Sequence, residues 1–229
     1  MAKTPPLDHR TRFAAARRER MRARLLDAAL MLGASRGMEA ITIDNVISEA
    51  QVARGSFYKY FATPAELVQA LAVELSDELI RAMHPLVEPL ADPAARVAIG
   101  IRTALLLAKA YPALGSFMVR AGWPAMERTH GFFTLVAVDI RKGIRSGRFA
   151  ARHAEVALNL VAGTVVGAMH SVTQKRMPRD FPEQTALAVL RGLGLPEQEA
   201  AKLVAQPVQL PAISEGSILS RLMQSRETQ

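Results

Sequence analysis

Residues 54–60, Arg-Gly-Ser-Phe-Tyr-Lys-Tyr, put two cations, a serine hydroxyl and two phenols into seven positions. If they form a short helix, Phe57 and Phe61 lie four apart and turn inward together, leaving Arg54, Ser56, Tyr58, Lys59 and Tyr60 outward or at the flanks. Such a set offers positive charge and hydrogen-bond donors, which is the chemistry of nucleic-acid contact. Lys59 and Arg54 are the expected base readers, because their cationic donors reach guanine acceptors in a major groove. Ser56 and Tyr58 suit positioning contacts to phosphate, with Gly55 and Tyr60 on the same candidate surface. Thr42, upstream, would cap a helix whose N-terminal N–H groups hold a further phosphate.

Catalytic readings find little support. The chain has no cysteine nucleophile and no Gly-rich phosphate loop, and its histidines at 9, 84, 130, 153 and 170 include no pair four apart for a metal. Tyr58 and Lys59, on an exposed helix, read as phosphate and base contacts instead of an acid and a base. No enzyme activity, metal or cofactor is expected. The absence of cysteine also excludes disulfides and fits a reducing cytoplasm.

The elements that must position these residues are legible. Thr42 starts a helix in which Ile43, Val46, Ile47 and Ala50 recur on one face. Gln51, Val52 and Ala53 make the turn, and Arg54–Tyr60 follows as the second helix. Thr63, Pro64 and Glu66 then mark a new helix start by cap, first-turn proline and capping box. Upstream, Met21, Leu25, Ala28, Ala29 and Leu32 predict an amphipathic helix over about 17–35, ended by Gly37. Two short helices joined by a tight turn and backed by a third are the layout of a helix-turn-helix DNA reader.

Charge agrees. The formal net charge is +8, and residues 1–62 hold 11 Lys or Arg against 6 Asp or Glu, while the rest holds 18 against 15. A basic segment attracts polyanions and gains affinity from counterion release, without sequence information. Seven arginines crowd positions 10–24 with no signal-peptide core. They read either as an arm reaching into a minor groove or as a solvated tail followed by the exposed face of the first helix.

Leu25-Leu26-Asp-Ala-Ala-Leu-Met-Leu, the spacing to Gly37, Ile41-Thr42-Ile43 and above all Arg54-Gly-Ser-Phe-Tyr-Lys-Tyr-Phe resemble the N-terminal domain of the tetracycline-repressor (TetR) family of bacterial transcriptional regulators. The resemblance covers about residues 20–75. It implies an all-α homodimer, with a three-helix helix-turn-helix head on each subunit and a larger helical body that dimerises and holds a small-molecule inducer. Four positions depart from the family pattern. Gln51 stands where Gly is common in the turn, Ala53 where Ser caps the recognition helix, Gly33 where Phe is common, and Pro64 where a phosphate-binding Lys is common.

Beyond residue 76 the chain reads as helices punctuated by Pro and Gly. Pro85 and Pro89 are expected to end the connector helix, and Asp92-Pro93 to start another running to about Ala110. Pro112 and Pro124 bound a shorter one with Trp123 at its end. Helices over about 129–146, 153–175 and 182–192 follow, then a short one from Pro196, and no strand pattern competes. The domains expected are a basic arm (1–16), the helix-turn-helix domain (17–62), a helical effector-binding and dimerisation domain (63–206) and a loosely docked or mobile tail (207–229).

Residues 154–169 are apolar nearly all round, which means burial on more than one side. The longest uninterrupted apolar or Gly run, allowing Thr164, is 160–169, far short of a membrane span, and no membrane partner is expected. Leu160 belongs to this face, and Gly163, Gly167 and Ser171 admit close approach of another backbone. With Leu187 and Leu190 on the next helix they read either as ordinary core or as the dimer interface that the resemblance implies. Phe117, Met118, Trp123, Met126, His130 and Phe133, with His170, similarly read either as core or as walls of an effector pocket.

The function expected is a sequence-specific cytoplasmic transcriptional regulator. It would be a repressor of a near-palindromic operator in double-stranded DNA, released by a small, largely apolar effector. The alternative is a helical scaffold of the same fold that lacks specific DNA binding.

Overall fold

The structure, a computed structural model, describes residues 9–128 and 132–221, with side chains over 13–120 and 134–221. Among the described residues there are helices and no strands. The helices are α1 (His9–Arg36), α2 (Ile43–Glu49), α3 (Arg54–Tyr58), α4 (Pro64–Val87) and α5 (Pro93–Ala110). They continue as α6 (Pro112–Arg128), α7 (Phe132–Arg145), α8 (Ala154–Gln174), α9 (Phe181–Gly192) and α10 (Glu197–Val204).

Local chemistry explains most of the boundaries. Thr42 accepts from the Asn45 N–H, Thr63 from the Glu66 N–H and Asp92 from the Ala94 N–H, so three helices open on side-chain caps. The Glu66 carboxylate reaches back to the Ala62 N–H at 2.8 Å, one residue before the cap. Gly37 and Gly147 take positive φ, at 101° and 71°, where the chain leaves α1 and α7.

Several boundaries differ from expectation. α1 begins at His9, eight residues before the first residue of the expected helix, so the arginines from Arg10 onward lie on a helix instead of in an extended arm. Pro85 sits inside the last turns of α4, which runs on to Val87. Pro124 likewise lies within α6, which reaches Arg128.

Two apolar cores organise the molecule. The head core joins Leu25, Leu26, Ala29 and Leu30 of α1 to Val46, Phe57 and Phe61, and it is completed by Leu67, Leu71, Leu75 and Leu79 of α4. The head core therefore extends past residue 62, along α4 as far as Leu79. α2 and α3, of 7 and 5 residues, have too little apolar surface to close a core on α1 by themselves. Leu114 and Phe117 of α6 also enter the head core. Gly33 admits Phe117, since a Cβ there would stand 2.9 Å from its ring. The unusual glycine in the first helix is the socket for an aromatic side chain from the body.

The body core is built on α5, α8 and α9, with Ile101, Leu105, Val161, Val165, Met169 and Leu190 buried together. α8 is by length and composition apolar enough to cross a membrane, which exceeds what its uninterrupted run suggested. Only 33% of that stretch is buried, where α8 packs against α5, α6, α7 and α9, so within the chain the burial expected on more than one side is confined to one face. A buried arginine, Arg102, stitches this core by donating to Glu183 of α9 at 2.7 Å and to the Gln206 carbonyl at 2.5 Å.

Candidate nucleic-acid interface and ligand cavity

The turn between α2 and α3 holds the head's unusual backbone. Gln51 has φ 51°, the one non-glycine residue with positive φ among the described residues. A side chain in that conformation costs roughly 1–2 kcal/mol. Arg24 of α1 offsets it, donating through Nη2 to the carbonyls of Ala50 at 2.5 Å and Gln51 at 3.3 Å. These are the carbonyls left unpaired where α2 ends. An arginine expected either in a groove-reaching arm or on the solvated face of the first helix is thus a structural clasp. Arg22 is similarly occupied, pairing with Glu74 of α4 and lying 5.9 Å above the Phe61 ring.

α3 spans Arg54–Tyr58, two residues shorter than expected, and Lys59 forms its C-terminal cap. Ala53 provides no side-chain cap at its start. Phe57 is fully buried and anchors the helix from behind. Arg54, Gly55, Tyr58 and Lys59 are exposed, Ser56 is partly exposed, and Tyr60 is half-buried against the head core. Tyr60 is thereby less available to an outside partner than its position in sequence suggests. A Cβ at Gly55 would meet nothing within 4 Å, so no contact within the chain requires that glycine.

Arg54 is engaged within the chain. Its Nη1 donates to Asp44 of α2 at 2.5 Å, and hydrogen bonding with Tyr58, followed by the Asp44 charge, pushes its guanidinium above the usual range. The pair is exposed and ties the first turn of α3 to α2. Lys59 is left as the exposed cation at the other end of the helix. Thr42 is exposed at the N-terminus of α2 and already accepts from Asn45, as expected of a cap.

A cavity of about 700 Å³, counting the part open to solvent, lies in the body between α4, α5, α7 and α8. Ile80, Met83 and Val87 of α4 face Ile101, Val136 and Val165 across it. The polar groups on its wall are His84, Arg96 and Asp139. Arg96 Nε donates to Asp139 Oδ1 at 2.7 Å, and its Nη1 donates to the Val87 carbonyl at 2.7 Å. Apolar walls with a few convergent polar groups are the common composition of small-ligand sites.

The residues expected to form a pocket are placed otherwise. Phe117 is buried in the head core over Gly33, and Met118 packs where the two cores meet. Neither lines the cavity, because the inner face of α6 is spent on holding the head. His170 is exposed on α8, away from the cavity wall. The side chains of Trp123, Met126, His130 and Phe133 lie outside the described residues. The polar trio at the cavity was missed because Arg96 and Asp139 lie 43 residues apart and carry no local motif.

On the outer side of α8, Val156, Leu160, Gly163, Gly167 and His170 form one exposed stripe. A Cβ at Gly163 or Gly167 would meet nothing within 4 Å, while Ser171 is partly exposed and donates to the Gly167 carbonyl. Leu187 of α9 is partly buried and packs against the body core. Of the two readings of Leu190, core or interface, its place in the chain is core: it is fully buried in the body cluster.

An exposed short helix behind a clasped turn, joined by one long helix to a body with an apolar cavity, is the layout of a DNA-binding regulator with a ligand-binding body. The model of the tetR family of bacterial regulatory proteins matches residues 25–71, and that of the tetracyclin repressor-like C-terminal domain matches residues 92–206. The chain belongs to the TetR family. Regulators of this family bind DNA operators, act as dimers and bind small ligands, and they are not enzymes.

Among solved structures, RolR in complex with resorcinol is 28% identical, with TM-score 0.67, covering 87% of this chain and all of the other. RolR without ligand is 27% identical, with TM-score 0.64, covering 84% and 100%. FadR from Bacillus subtilis, in complex with stearoyl-CoA, shares the fold at 20% identity and TM-score 0.59, covering 74% and 96%. Comparison with curated proteins finds no match.

Proposed function

We propose that this chain is a cytoplasmic repressor that binds a near-palindromic operator as a homodimer and is released by a small, largely apolar effector with a polar end. The observation that carries the DNA-binding part is α3: Gly55, Tyr58 and Lys59 face outward with Phe57 anchored behind, and Gly55 leaves room that no part of the chain uses. Close approach of a backbone is what an exposed helical glycine permits. The Arg24 clasp counts against the scaffold alternative, since it supports the turn that Gln51 would otherwise strain.

The effector reading is supported by the cavity between α4, α5, α7 and α8. Its apolar walls fit a ring or short hydrocarbon body, and Arg96, Asp139 and His84 offer hydrogen bonds to a hydroxyl or similar group. Resorcinol, the ligand of the RolR complex, has that chemistry. Binding there would act on α4, whose C-terminal half lines the cavity and whose N-terminal half completes the head core. A ligand that favours one position of α4 shifts the population of head arrangements.

Fluorescence anisotropy with the DNA flanking the protein's own gene tests the first part. Binding there should exceed binding to random DNA of equal length, and equality would overturn it. Titration of the complex with resorcinol, simple monophenols and short aliphatic acids tests the second. Release by a phenol that is lost in Asp139→Asn is the expected result; no release by any of them overturns this effector class.

A further inference from the structure

The C-terminal segment was expected to be loose, yet residues 207–221 return from the end of the body to the head. Ile218 and Leu219 are fully buried in the head core, Ile213 packs against it, and Ser217 opens a last helical turn by capping the Ser220 N–H. Arg221 meets Asp27 of α1 side-on, Nε to Oδ2 at 2.9 Å and Nη2 to Oδ1 at 3.0 Å. Glu78 of α4 accepts from the backbone N–H groups of Ile218 at 2.6 Å and Leu219 at 3.2 Å. At its root the segment is fixed by the buried Arg102, which donates to the Gln206 carbonyl.

We propose that residues 207–221 are a strap, rooted in the body at Arg102, whose Arg221–Asp27 and Glu78 attachments lock α1 against α4 and so hold the head in one position on the body. The chemistry of the attachments favours a releasable lock over plain core. Only two apolar side chains of the segment, Ile218 and Leu219, are fully buried in the head, with Ile213 partly buried beside them, and both fully buried residues donate their N–H groups to Glu78. The ion pair is partly exposed, 29% for Arg221 and 27% for Asp27, so water can take its place at moderate cost.

The position of Glu78 links the strap to the ligand cavity. Along α4, Glu74 pairs with Arg22 of α1, Glu78 holds the strap, and Ile80, Met83 and His84 line the cavity within the next two turns. A shift of α4 that a cavity ligand favours therefore works against the strap, which sets how much of that shift reaches the head. This functional consequence rests on the proposed DNA-binding role; the lock itself does not.

Hydrogen exchange of the full chain, followed by mass spectrometry, tests the lock. Asp27→Arg and Arg221→Asp are made singly and together, so that each single variant sets like charges face to face and the pair restores opposite ones. In each single variant, amides at 213–221 and in the facing stretches of α1 and α4 should exchange about tenfold faster or more, as loss of a charge-assisted pair implies. The double variant should recover most of the protection. Single variants that exchange like the parent, or a double variant as open as the singles, would overturn the strap. DNA flanking the gene, measured on the same samples, should bind more weakly to the singles and recover in the double. A parent that shows no specific binding would sink the DNA-binding role while the exchange result still decides the lock.

Discussion

The recognition surface depends on which cations are free to leave the protein. Arg54, as good a base reader as Lys59 on residue type alone, is tied to Asp44 and Tyr58, whereas Lys59 caps α3 with its side chain exposed. Lys59→Ala should therefore cost about 1–3 kcal/mol on the operator and less on random DNA. Anisotropy on both DNAs checks this, and equal losses would reduce Lys59 to a phosphate contact. Gly55 gives a complementary probe because it lacks neighbours within 4 Å. Gly55→Ala removes backbone freedom from an exposed helix and should stabilise the head by up to about 1 kcal/mol in thermal unfolding. The same variant should weaken DNA binding, since the added methyl occupies the space a DNA backbone would approach. A variant that binds as well as the parent would leave that glycine without a role in recognition.

Elements were legible where a boundary has a local cause. Thr42, Thr63 and Asp92 each announce a helix by a capping oxygen, and each caps in the structure. The pattern was silent where the cause is distant. The start of α1 at His9 has no apolar repeat to mark it, and Pro85 and Pro124 are tolerated inside helices that continue past them. The Arg24 clasp, the Phe117 ring over Gly33 and the Arg96–Asp139 pair all join residues far apart in sequence, which single-chain periodicity does not encode. A further long-range junction gives an acid-sensitive element. Arg148 donates to both oxygens of Asp92, at 2.9 and 2.7 Å, and to Glu199 at 2.6 Å, joining the start of α5 to α10. The Arg148 hydrogen bonds, helped by the Ala94 N–H and opposed by burial, hold the Asp92 carboxyl below its ordinary value of 3.8. A carboxyl with a depressed folded value contributes stability that is fully present above its unfolded value and is lost as pH falls through the folded one. Asp92→Asn should therefore lower the melting temperature near neutral pH and reduce its fall as the pH is taken from about 5 to 2, followed by circular dichroism. Parallel curves for variant and parent would remove Asp92 from the acid response.

At the scale of the whole molecule, function requires two heads, because one three-helix head makes few base contacts. Two heads held by a two-fold axis read half-sites about one helical turn apart, roughly 34–36 Å. Specific affinity should thus depend on residues far from the DNA. The exposed stripe of α8 is the candidate seam: Val156, Leu160, Gly163, Gly167 and His170 lie along one side of a helix whose opposite face, Ala157, Val161, Val165 and Ala168, is buried in the chain's own body. The two glycines make the sharpest test, because their surroundings separate folding from assembly. A leucine at Gly167 meets no atom of its own chain within 4 Å of its Cβ and gains helix propensity over glycine. The isolated subunit should keep its helical circular dichroism signal and its melting temperature. Against a second copy, the same leucine would hold the partner backbone away, and overpacking of this kind costs about 1–3 kcal/mol at each contact. Twofold symmetry can apply that cost twice. Gly167→Leu should shift the protein toward monomer in sedimentation velocity and lose tight operator binding while weak, salt-sensitive DNA binding persists. If Gly167→Leu sediments as the parent dimer and binds the operator normally, the subunits meet elsewhere and the stripe on α8 has another use.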